Sequence, residues 1–289
     1  MCPPRVSFGV TPACRAKIRA AGSTDPVKDQ KKAHQRMTNV GVEIPEGKRL
    51  NKYGDLENLN LTTEDWKFRW EKRHIGFHKD EIHGLLQKYL SIILHGRKQI
   101  RIFVPLCGKS VDMKWLADQG HTVVGVEASE MAIKEFFAEQ NVSYTQESVP
   151  GIAGAEVFQS TDGKLFLFNC NMFDFTSAIA GKFDGIWDRG SLVAINPSDR
   201  QRYAKLMTTL MANGCHYLLD ALTYDQEKFS GPPFSTPPHV IHDLYGQSCN
   251  IQLLESSDAL TDRQRSWGLD SFTEQIHLIT LKTNTDSCA

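Results

Sequence analysis

The chain has 289 residues, of which 40% are hydrophobic and 23% are charged. This composition is typical of a folded globular protein and excludes a mainly disordered, collagen-like or disulfide-stapled chain. Lysine and arginine number 33 against 34 aspartates and glutamates, so there is no basic excess to bind a phosphate backbone. The longest uncharged apolar stretches, 90–94 and 102–106, are far shorter than the roughly 20 residues that span a bilayer. We therefore expect neither a nucleic acid nor a membrane as partner.

The seven cysteines are scattered along the chain, and none belongs to a C-x-x-C pair. This pattern is typical of free thiols in a reducing compartment. Residues 1–10 contain two prolines and no sustained apolar segment, which argues against a secretory signal, so we expect a cytoplasmic protein. One alternative stays open: residues 1–24 hold four basic and no acidic residues, a bias found in mitochondrial transit peptides.

Residues 1–60 show no sustained hydrophobic period and are interrupted by five prolines. This stretch predicts a disordered or flexible extension, and the folded domain is expected to cover residues 61–289. A helix is predicted to begin after Thr62 or Thr63, either of which is a suitable N-cap. Trp66 and Trp70 follow four residues apart and would share one face of that helix.

From residue 79 onward, helical and strand-like segments alternate. Helices are predicted over 79–94, 110–119, 129–140, 198–211 and 238–246, and strands over 101–106, 122–126, 165–170, 183–187, 215–222, 251–255 and 272–281. This alternation is typical of an α/β protein with a doubly wound, mostly parallel sheet and helices on both faces. No helix separates the last two strands, so we expect them to pair antiparallel at one edge.

The turn after the first of these strands, Cys107-Gly108-Lys109-Ser110, favours a ligand site, because Gly108 lets the backbone approach a ligand closely. A P-loop is excluded, since Phe103 stands where its first glycine is needed. A dinucleotide fingerprint is disfavoured, since only one of its three glycines is present. A nucleoside cofactor without a pyrophosphate remains. Glu127 ends the next strand 19 residues after Gly108 and is suited to accept hydrogen bonds from ribose hydroxyls.

Polar residues also follow the third and fourth strands. Asn169, Cys170, Asn171 and Met172 would lie near an adenine ring, and Trp187-Asp188-Arg189-Gly190 forms a charged cluster at the same rim. S-Adenosylmethionine fits this arrangement, with its ribose on Glu127 and its methionine part over the first turn. The predicted reaction class is methyl transfer.

At these residues the chain resembles the thiopurine S-methyltransferase family. The matching segments, which together span most of residues 61–281, are RIFVPLCGK at 101–109, GHTVVGVE at 120–127, FDGIWDRG at 183–190, VAINP at 193–197, GPPF at 231–234 and RSWG at 265–268. The resemblance implies a seven-stranded class I methyltransferase fold of the Rossmann-like type. It also implies transfer of a methyl group from S-adenosylmethionine to aromatic and heterocyclic thiols, thiopurines included, leaving S-adenosylhomocysteine.

The resemblance further implies roles for individual residues. Those expected to bind the cofactor are Trp66, Trp70, Leu106, Glu127, Asn171, Met172 and Arg189. Those expected to contact the substrate are Phe77, Arg189 and Arg263. Two positions depart from the family pattern and concern substrate preference: Ser235 stands where a bulkier aromatic residue is expected, and Asn171 where a small hydroxyl residue is common.

No residue is assigned as the catalytic acid or base. His78 is a possible proton acceptor, and Asp188 would either orient Arg189 or act on the substrate, of which the orienting role is preferred. Cys107 is not expected to be a nucleophile. His74, His78 and His83 lack a matching ligand set, so no metal site is expected. A monomer is expected, and two alternative functions stay open: methylation of selenium or tellurium compounds, and a cofactor-binding protein without catalysis.

Overall fold

The computed structural model describes residues 44–51 and 53–282, which form eleven strands and eight α-helices. The strands are β1 (Lys48–Leu50), β2 (Leu56–Asn58), β3 (Arg101–Val104), β4 (Thr122–Glu127), β5 (Tyr144–Ser148), β6 (Glu156–Ser160), β7 (Leu165–Asn169), β8 (Phe183–Arg189), β9 (Met211–Thr223), β10 (Cys249–Asp258) and β11 (Thr273–Leu281). The helices are α1 (Thr63–Glu71), α2 (Gly84–Leu94), α3 (Val111–Asp118), α4 (Glu130–Glu139), α5 (Ser177–Ala180), α6 (Arg200–Leu210), α7 (Pro238–Tyr245) and α8 (Asp262–Arg265).

Nine of the strands form one twisted sheet in the order β10-β11-β9-β8-β3-β4-β7-β6-β5. Strands β3, β4, β7, β8 and β9 are parallel, whereas β11 runs antiparallel to β9 and β10 antiparallel to β11. The predicted α/β architecture and its antiparallel last pair are therefore confirmed. The chain winds outward from β3 through β4 to β7 and then returns to β8 on the other side of β3. Strand order thus reverses between β3 and β8, which is where such sheets bind ligands.

The sheet has two strands more than the seven that the sequence predicts. Strands β5 and β6 form an antiparallel hairpin that extends the edge beside β7. Every residue of β5 is exposed, so this strand carries no apolar alternation from which it could be predicted. The seven other strands of the sheet are the predicted ones.

Alternate residues of the central strands feed two hydrophobic cores on the two faces of the sheet. Ile102 and Val104 of β3 are buried with the helix α2 on one face, whereas Phe103 is buried on the other. Successive side chains of a strand point to opposite faces, so these apolar runs are buried on both sides. Phe103 stacks on Phe183 with ring centroids 4.8 Å apart. The rigid centre of the sheet thereby fixes the strand ends at which the polar residues lie.

The N-terminal signals of two helices behave as the sequence predicts. Thr62 caps α1 in a capping box with Asp65, and Ser129 caps α4 by accepting a hydrogen bond from the backbone N–H of Ala132 at 3.3 Å. Helix α2, predicted from residue 79, begins only at Gly84. The backbone N–H of His83 donates to Asp112 Oδ1 at 2.9 Å, so the segment before α2 is tied to α3 instead of continuing the helix.

Residues 48–58, which lie inside the predicted extension, form the hairpin β1–β2. Glu57 on β2 accepts hydrogen bonds from Arg49 Nε at 2.9 Å and from Arg69 Nη2 of α1 at 2.6 Å, so the hairpin is joined to α1 by a buried ion pair. The expectations for residues 1–43 lie outside the described residues. Within the described part of the chain, no helix combines the length and apolar character that a bilayer crossing needs.

Candidate active site

A cavity of about 760 Å³ lies at the carboxyl ends of β3, β4, β8 and β9, beside the point where strand order reverses. The helix α1, the segment 76–83 and the residues around α8 complete its walls. The cavity brings together all nine residues predicted to bind cofactor or substrate: Trp66, Trp70, Phe77, Leu106, Glu127, Asn171, Met172, Arg189 and Arg263. Residues separated by as many as 197 positions in the chain therefore share one site.

The turn after β3 brings bare backbone to the cavity. Leu106 and Gly108 have φ angles of 41° and 52°, in the left-handed region that glycine adopts without cost and leucine does not. A Cβ atom at Gly108 would lie 3.0 Å from Trp70 Cζ2, a tight contact that would require the Trp70 ring to shift. The N–H of Cys107 donates to Val126 O at 2.9 Å, which anchors the turn on β4. The turn is therefore a fixed, closely packed cradle.

Glu127, the last residue of β4, is buried beside this turn with 6% exposure. Its Oε2 accepts a hydrogen bond from the N–H of Gly108 at 2.9 Å, and its Oε1 accepts one from the N–H of Ser129 at 2.7 Å. Burial raises the pKa of the Glu127 carboxyl, and the N–H groups of Ser129 and Gly108 oppose that rise. Each carboxylate oxygen keeps a further lone pair, so the group can still accept bonds from two hydroxyls.

Three aromatic side chains form an apolar wall. The ring of Phe77 meets those of Trp66 and Trp70 edge-on, with centroids 5.8 and 5.6 Å apart. Trp70 is 2% exposed and seals the cavity against the turn. Edge-on aromatic contacts are favourable and hold rings in a defined orientation. The wall therefore adds apolar surface to the cavity beside Gly108.

The residues predicted to lie near an adenine adopt a short helical turn after β7. Asn171 Oδ1 accepts a hydrogen bond from the N–H of Phe173 at 2.9 Å and so caps the 3₁₀ turn Met172–Asp174. Met172 is buried at 3% exposure while Asn171 is exposed, and both contribute to the cavity lining.

The two predicted substrate-side arginines hold the segment that carries Phe77. Arg189 Nη1 donates to the Phe77 carbonyl at 3.0 Å, and Arg263 Nη1 donates to the Gly76 carbonyl at 2.6 Å. The guanidinium of Arg263 also lies 5.3 Å from the centroid of the Trp267 ring. A guanidinium has five N–H donors, so each arginine retains donors for a ligand.

Comparison with known proteins identifies the family to which the chain belongs. The family model "Thiopurine S-methyltransferase (TPMT)" matches residues 61–282. A probable thiopurine S-methyltransferase of Danio rerio is 53% identical over 223 residues, which cover 77% of this chain and 96% of the relative. The thiopurine S-methyltransferase of Rattus norvegicus is 52% identical over 226 residues, 78% of this chain and 94% of the relative. The chain belongs to the thiopurine S-methyltransferase family.

Solved structures agree on the fold. The N-methyltransferase NodS of Bradyrhizobium japonicum, solved in complex with S-adenosyl-L-homocysteine, superposes with a TM-score of 0.50 at 11% identity and covers 75% of this chain and 99% of its own. The expected resemblance, the class I methyltransferase fold and S-adenosylmethionine-dependent methyl transfer are therefore confirmed for this member of the thiopurine S-methyltransferase family.

One predicted role is wrong. Asp188 does not orient Arg189, because neighbouring residues of β8 point to opposite faces of the sheet. Arg189 faces the cavity, whereas Asp188 is fully buried and accepts hydrogen bonds from Tyr203 Oη at 2.7 Å and Tyr217 Oη at 2.6 Å. Burial raises the pKa of Asp188, and the two tyrosine hydroxyls counter that rise. This carboxyl therefore stabilises the sheet and α6 and has no access to a substrate.

The two other residues weighed for chemistry, Cys107 and His78, both line the cavity. The Cys107 thiol is buried, and burial together with the charge of Glu127 raises its pKa well above the usual value, so the nucleophilic thiolate is suppressed. His78 lines the cavity, and burial, together with the charge of Lys109, lowers its pKa. A role for His78 as proton acceptor stays a prediction.

The sequence predicted no place in the site for three polar cavity residues, of which His83 was weighed only as a metal ligand together with His74 and His78. His83 in the segment before α2, Asp220 on β9 and Glu274 on β11 each bring one nitrogen or oxygen atom to within 4.8 Å of the others. His83 joins these carboxylates and not His74, whose Nδ1 lies 3.1 Å from Asp55 Oδ2. The one available signal was Asp220, a single acid inside the apolar run Tyr217–Leu222 of β9.

Proposed function

We propose that this chain transfers a methyl group from S-adenosylmethionine to the sulfur of small aromatic and heterocyclic thiols, thiopurines included. The observation that carries the proposal is the composition of the cavity. A buried carboxylate beside a glycine turn lies on one wall, and two arginines with an aromatic ring lie on another. The first suits a nucleoside, and the second suits a polarisable anion on a flat ring.

The residues at the turn fit the cofactor. Glu127 would accept hydrogen bonds from the ribose hydroxyls, since its two oxygens are held in place by Gly108 and Ser129. Gly108 leaves the space that a Cβ atom would fill. Trp66, Trp70 and Leu106 would cover the methionine part, while Asn171 and Met172 would lie at the adenine. When bound, the cofactor supplies an electrophilic methyl group on a cationic sulfonium.

The remaining residues would place the thiol. Phe77 offers an apolar surface for an aromatic ring, and Arg189 and Arg263 offer positive charge for a thiolate sulfur. A thiolate and a sulfonium neutralise each other during transfer, so a dry cavity with positioned charges favours the reaction over the same reaction in water. The aromatic wall would contribute to that dryness by its apolar surface.

We further propose that the protein works as a monomer in the cytoplasm. All nine proposed binding residues come from one chain, so the cavity requires no second copy to be complete. Cys107, Cys170, Cys215 and Cys249 are free thiols, as expected in a reducing compartment. The formal net charge of −1 favours a small ligand over a polyanion.

Isothermal titration with S-adenosylmethionine, paired with a methyl-transfer assay on an aryl thiol, tests the proposal. We expect stoichiometric cofactor binding and a methyl thioether product. Binding without turnover would instead assign the chain to non-catalytic cofactor binding, and absence of cofactor binding would refute the proposed function.

A further inference from the structure

Three charged residues lie side by side across neighbouring strands at the cavity wall. Arg189 on β8 is the register partner of Asp220 on the parallel strand β9. Asp220 is in turn the partner of Ile276 on β11, and Glu274 lies two residues before Ile276. Side chains two residues apart on a strand share a face, so Arg189, Asp220 and Glu274 form one row on the cavity side of the sheet. All three line the cavity.

His83, in the segment before α2, lies against the two carboxylates of this row. Its Nε2 lies 3.8 Å from Asp220 Oδ2 and 3.7 Å from Glu274 Oε1, beyond hydrogen-bond distance from both. Burial and the charge of Arg189 lower the pKa of His83 to about 4, so the imidazole is neutral near pH 7. The carboxylates therefore gain no ion pair from the histidine.

Some hydrogen-bonding atoms of this cluster have no partner within the described part of the chain. Asp220 is 4% exposed, and within the described part of the chain neither its Oδ1 nor His83 Nδ1 has a hydrogen-bond partner. Glu274 is more accessible, with 26% of its side chain exposed at the cavity. Buried acceptors are nearly always satisfied in folded proteins, so an unsatisfied group at a cavity points to a ligand that donates a hydrogen.

The chemistry of the proposed substrates supplies such a donor. In a heterocyclic thione, the sulfur is doubly bonded to carbon and the adjacent ring nitrogen carries a hydrogen. As the sulfur bonds to the methyl carbon, the bond from that carbon to the sulfonium breaks and its electron pair stays on the cofactor sulfur. The C=S bond becomes single, the N–H electron pair forms C=N, and the proton must pass to a base. An ionised aryl thiol has no such proton to lose.

We propose that Glu274, supported by Asp220, accepts the N–H proton of heterocyclic thiones, so that the cavity favours thiones with an N–H beside the sulfur over aryl thiols. The proposal rests on the methyl transfer to sulfur proposed above. Glu274 is the member of the row that reaches the substrate, and Asp220 is a positioning residue behind it. The guanidinium of Arg189 occupies the same row and opposes a divalent cation there, which favours a proton-accepting role over metal binding.

The test compares two substrates on the variant Glu274→Gln. One is 2-mercaptoimidazole, a thione with N–H groups, and the other is 4-nitrothiophenol, which is a thiolate at neutral pH. We expect kcat/KM for the thione to fall roughly 100-fold, within the usual range for loss of a general base, and to change little for the thiolate. The conservative variant Glu274→Asp is expected to recover part of the thione activity. Glu147→Gln on β5, exposed at the far edge of the sheet, is the matched control.

Each other outcome has a defined meaning. Equal losses on both substrates, or no loss on the thione, would overturn the role of Glu274 while leaving methyl transfer to sulfur intact. A metal retained by the wild-type protein at one equivalent, required for both activities and lost from Glu274→Gln, would assign the row to a metal and also overturn it. If the wild-type protein binds S-adenosylmethionine but methylates neither substrate, the proposed function itself fails. Cofactor titration of each variant shows whether it is folded.

Discussion

The cavity has two parts, named here for their proposed ligands: the cofactor wall, with Trp66, Trp70, Gly108 and Glu127, and the substrate wall, with Phe77, Arg189, Asp220, Arg263 and Glu274. The buried carboxylates of the two walls differ in their hydrogen bonding. On the cofactor wall, both oxygens of Glu127 are already bonded to backbone N–H groups of Gly108 and Ser129. On the substrate wall, Asp220 is equally buried, yet its Oδ1 has no partner among the residues that the structure describes. The first carboxylate is held in place before any ligand arrives, and the second is not.

This contrast matches the ligands proposed for the two walls. The cofactor presents the same hydroxyls in every turnover, so it is bound best by an acceptor that hydrogen bonds already hold in position. A substrate site that accepts several thiols gains from groups whose protonation and partners change with the ligand. The cost of that adaptability is an unsatisfied buried charge, which destabilises the folded state. Three substitutions test whether the walls differ in this way.

The largest effect is expected for Glu127→Gln. Glutamine keeps the shape of glutamate but replaces one acceptor oxygen by an N–H₂ group, which would face the N–H of Gly108 or of Ser129. We expect the affinity for S-adenosylmethionine to fall by about 1–3 kcal/mol, or roughly 5- to 150-fold, as measured by isothermal titration. The exposed pair of Glu130 and Lys134 provides the control Glu130→Gln, which should bind as the wild type does. An unchanged affinity in Glu127→Gln would exclude the ribose role.

A smaller and differently directed effect is expected for Arg263→Ala. This change removes one of the two guanidinium groups that hold residues 76 and 77 and that are proposed to contact the substrate. We expect the substrate KM to rise about tenfold, as for loss of one charged hydrogen bond, while cofactor affinity changes little. Arg265→Ala on the same helix α8 is the matched control, since Arg265 is exposed and does not line the cavity. The reverse pattern, with weaker cofactor and unchanged KM, would contradict the division into two walls.

The smallest effect is on stability and concerns Asp220→Asn. Burial above all, and next the charge of Glu274, raise the pKa of the Asp220 carboxyl well above its ordinary value of 3.8. The folded protein therefore binds this proton more tightly than the unfolded chain does. The resulting stability is fully present below pH 3.8 and is lost as the pH rises through the folded pKa. Asparagine cannot ionise and escapes this loss.

We therefore expect Asp220→Asn to be more stable than the wild type at pH 7, by about 1 kcal/mol, with the difference shrinking toward pH 4. Urea unfolding across this pH range measures it. Asp243→Asn on the exposed face of α7 should show no such trend. A variant that is less stable than the wild type at pH 7 would mean that Asp220 is satisfied in the folded protein.

The contrast between the walls also explains which parts of the site were predictable. The cofactor wall is encoded locally: a strand, Gly108, a helix and an acid at the end of the next strand lie within 27 residues. Periodicity likewise located seven strands of the sheet, most clearly the central strands β3 and β4, whose apolar runs are buried on both faces. The hairpins β1–β2 and β5–β6 escaped prediction because their residues lack an apolar alternation, and β5 is wholly exposed.

The substrate wall was predictable only in part. The resemblance placed Phe77, Arg189 and Arg263 in it, but it gave no reason to expect His83, Asp220 and Glu274 beside them. These residues are brought together by pairing between strands that are far apart in the chain. Asp220 is a single acid in an apolar strand, and Glu274 is an acid near the start of a strand. Neither can be assigned to the site until the register of these strands is known.

By itself, the sequence determined the α/β class, the order of its main elements, the glycine turn with its acidic partner, and the family. These features depend on local periodicity and on short spacings, which a chain expresses without reference to distant residues. Tertiary structure alone decided which side chains share a face. It turned Asp188 into the core, because adjacent residues of a strand point to opposite sides, and it aligned Arg189, Asp220 and Glu274 on the cavity wall, because β9 lies between β8 and β11.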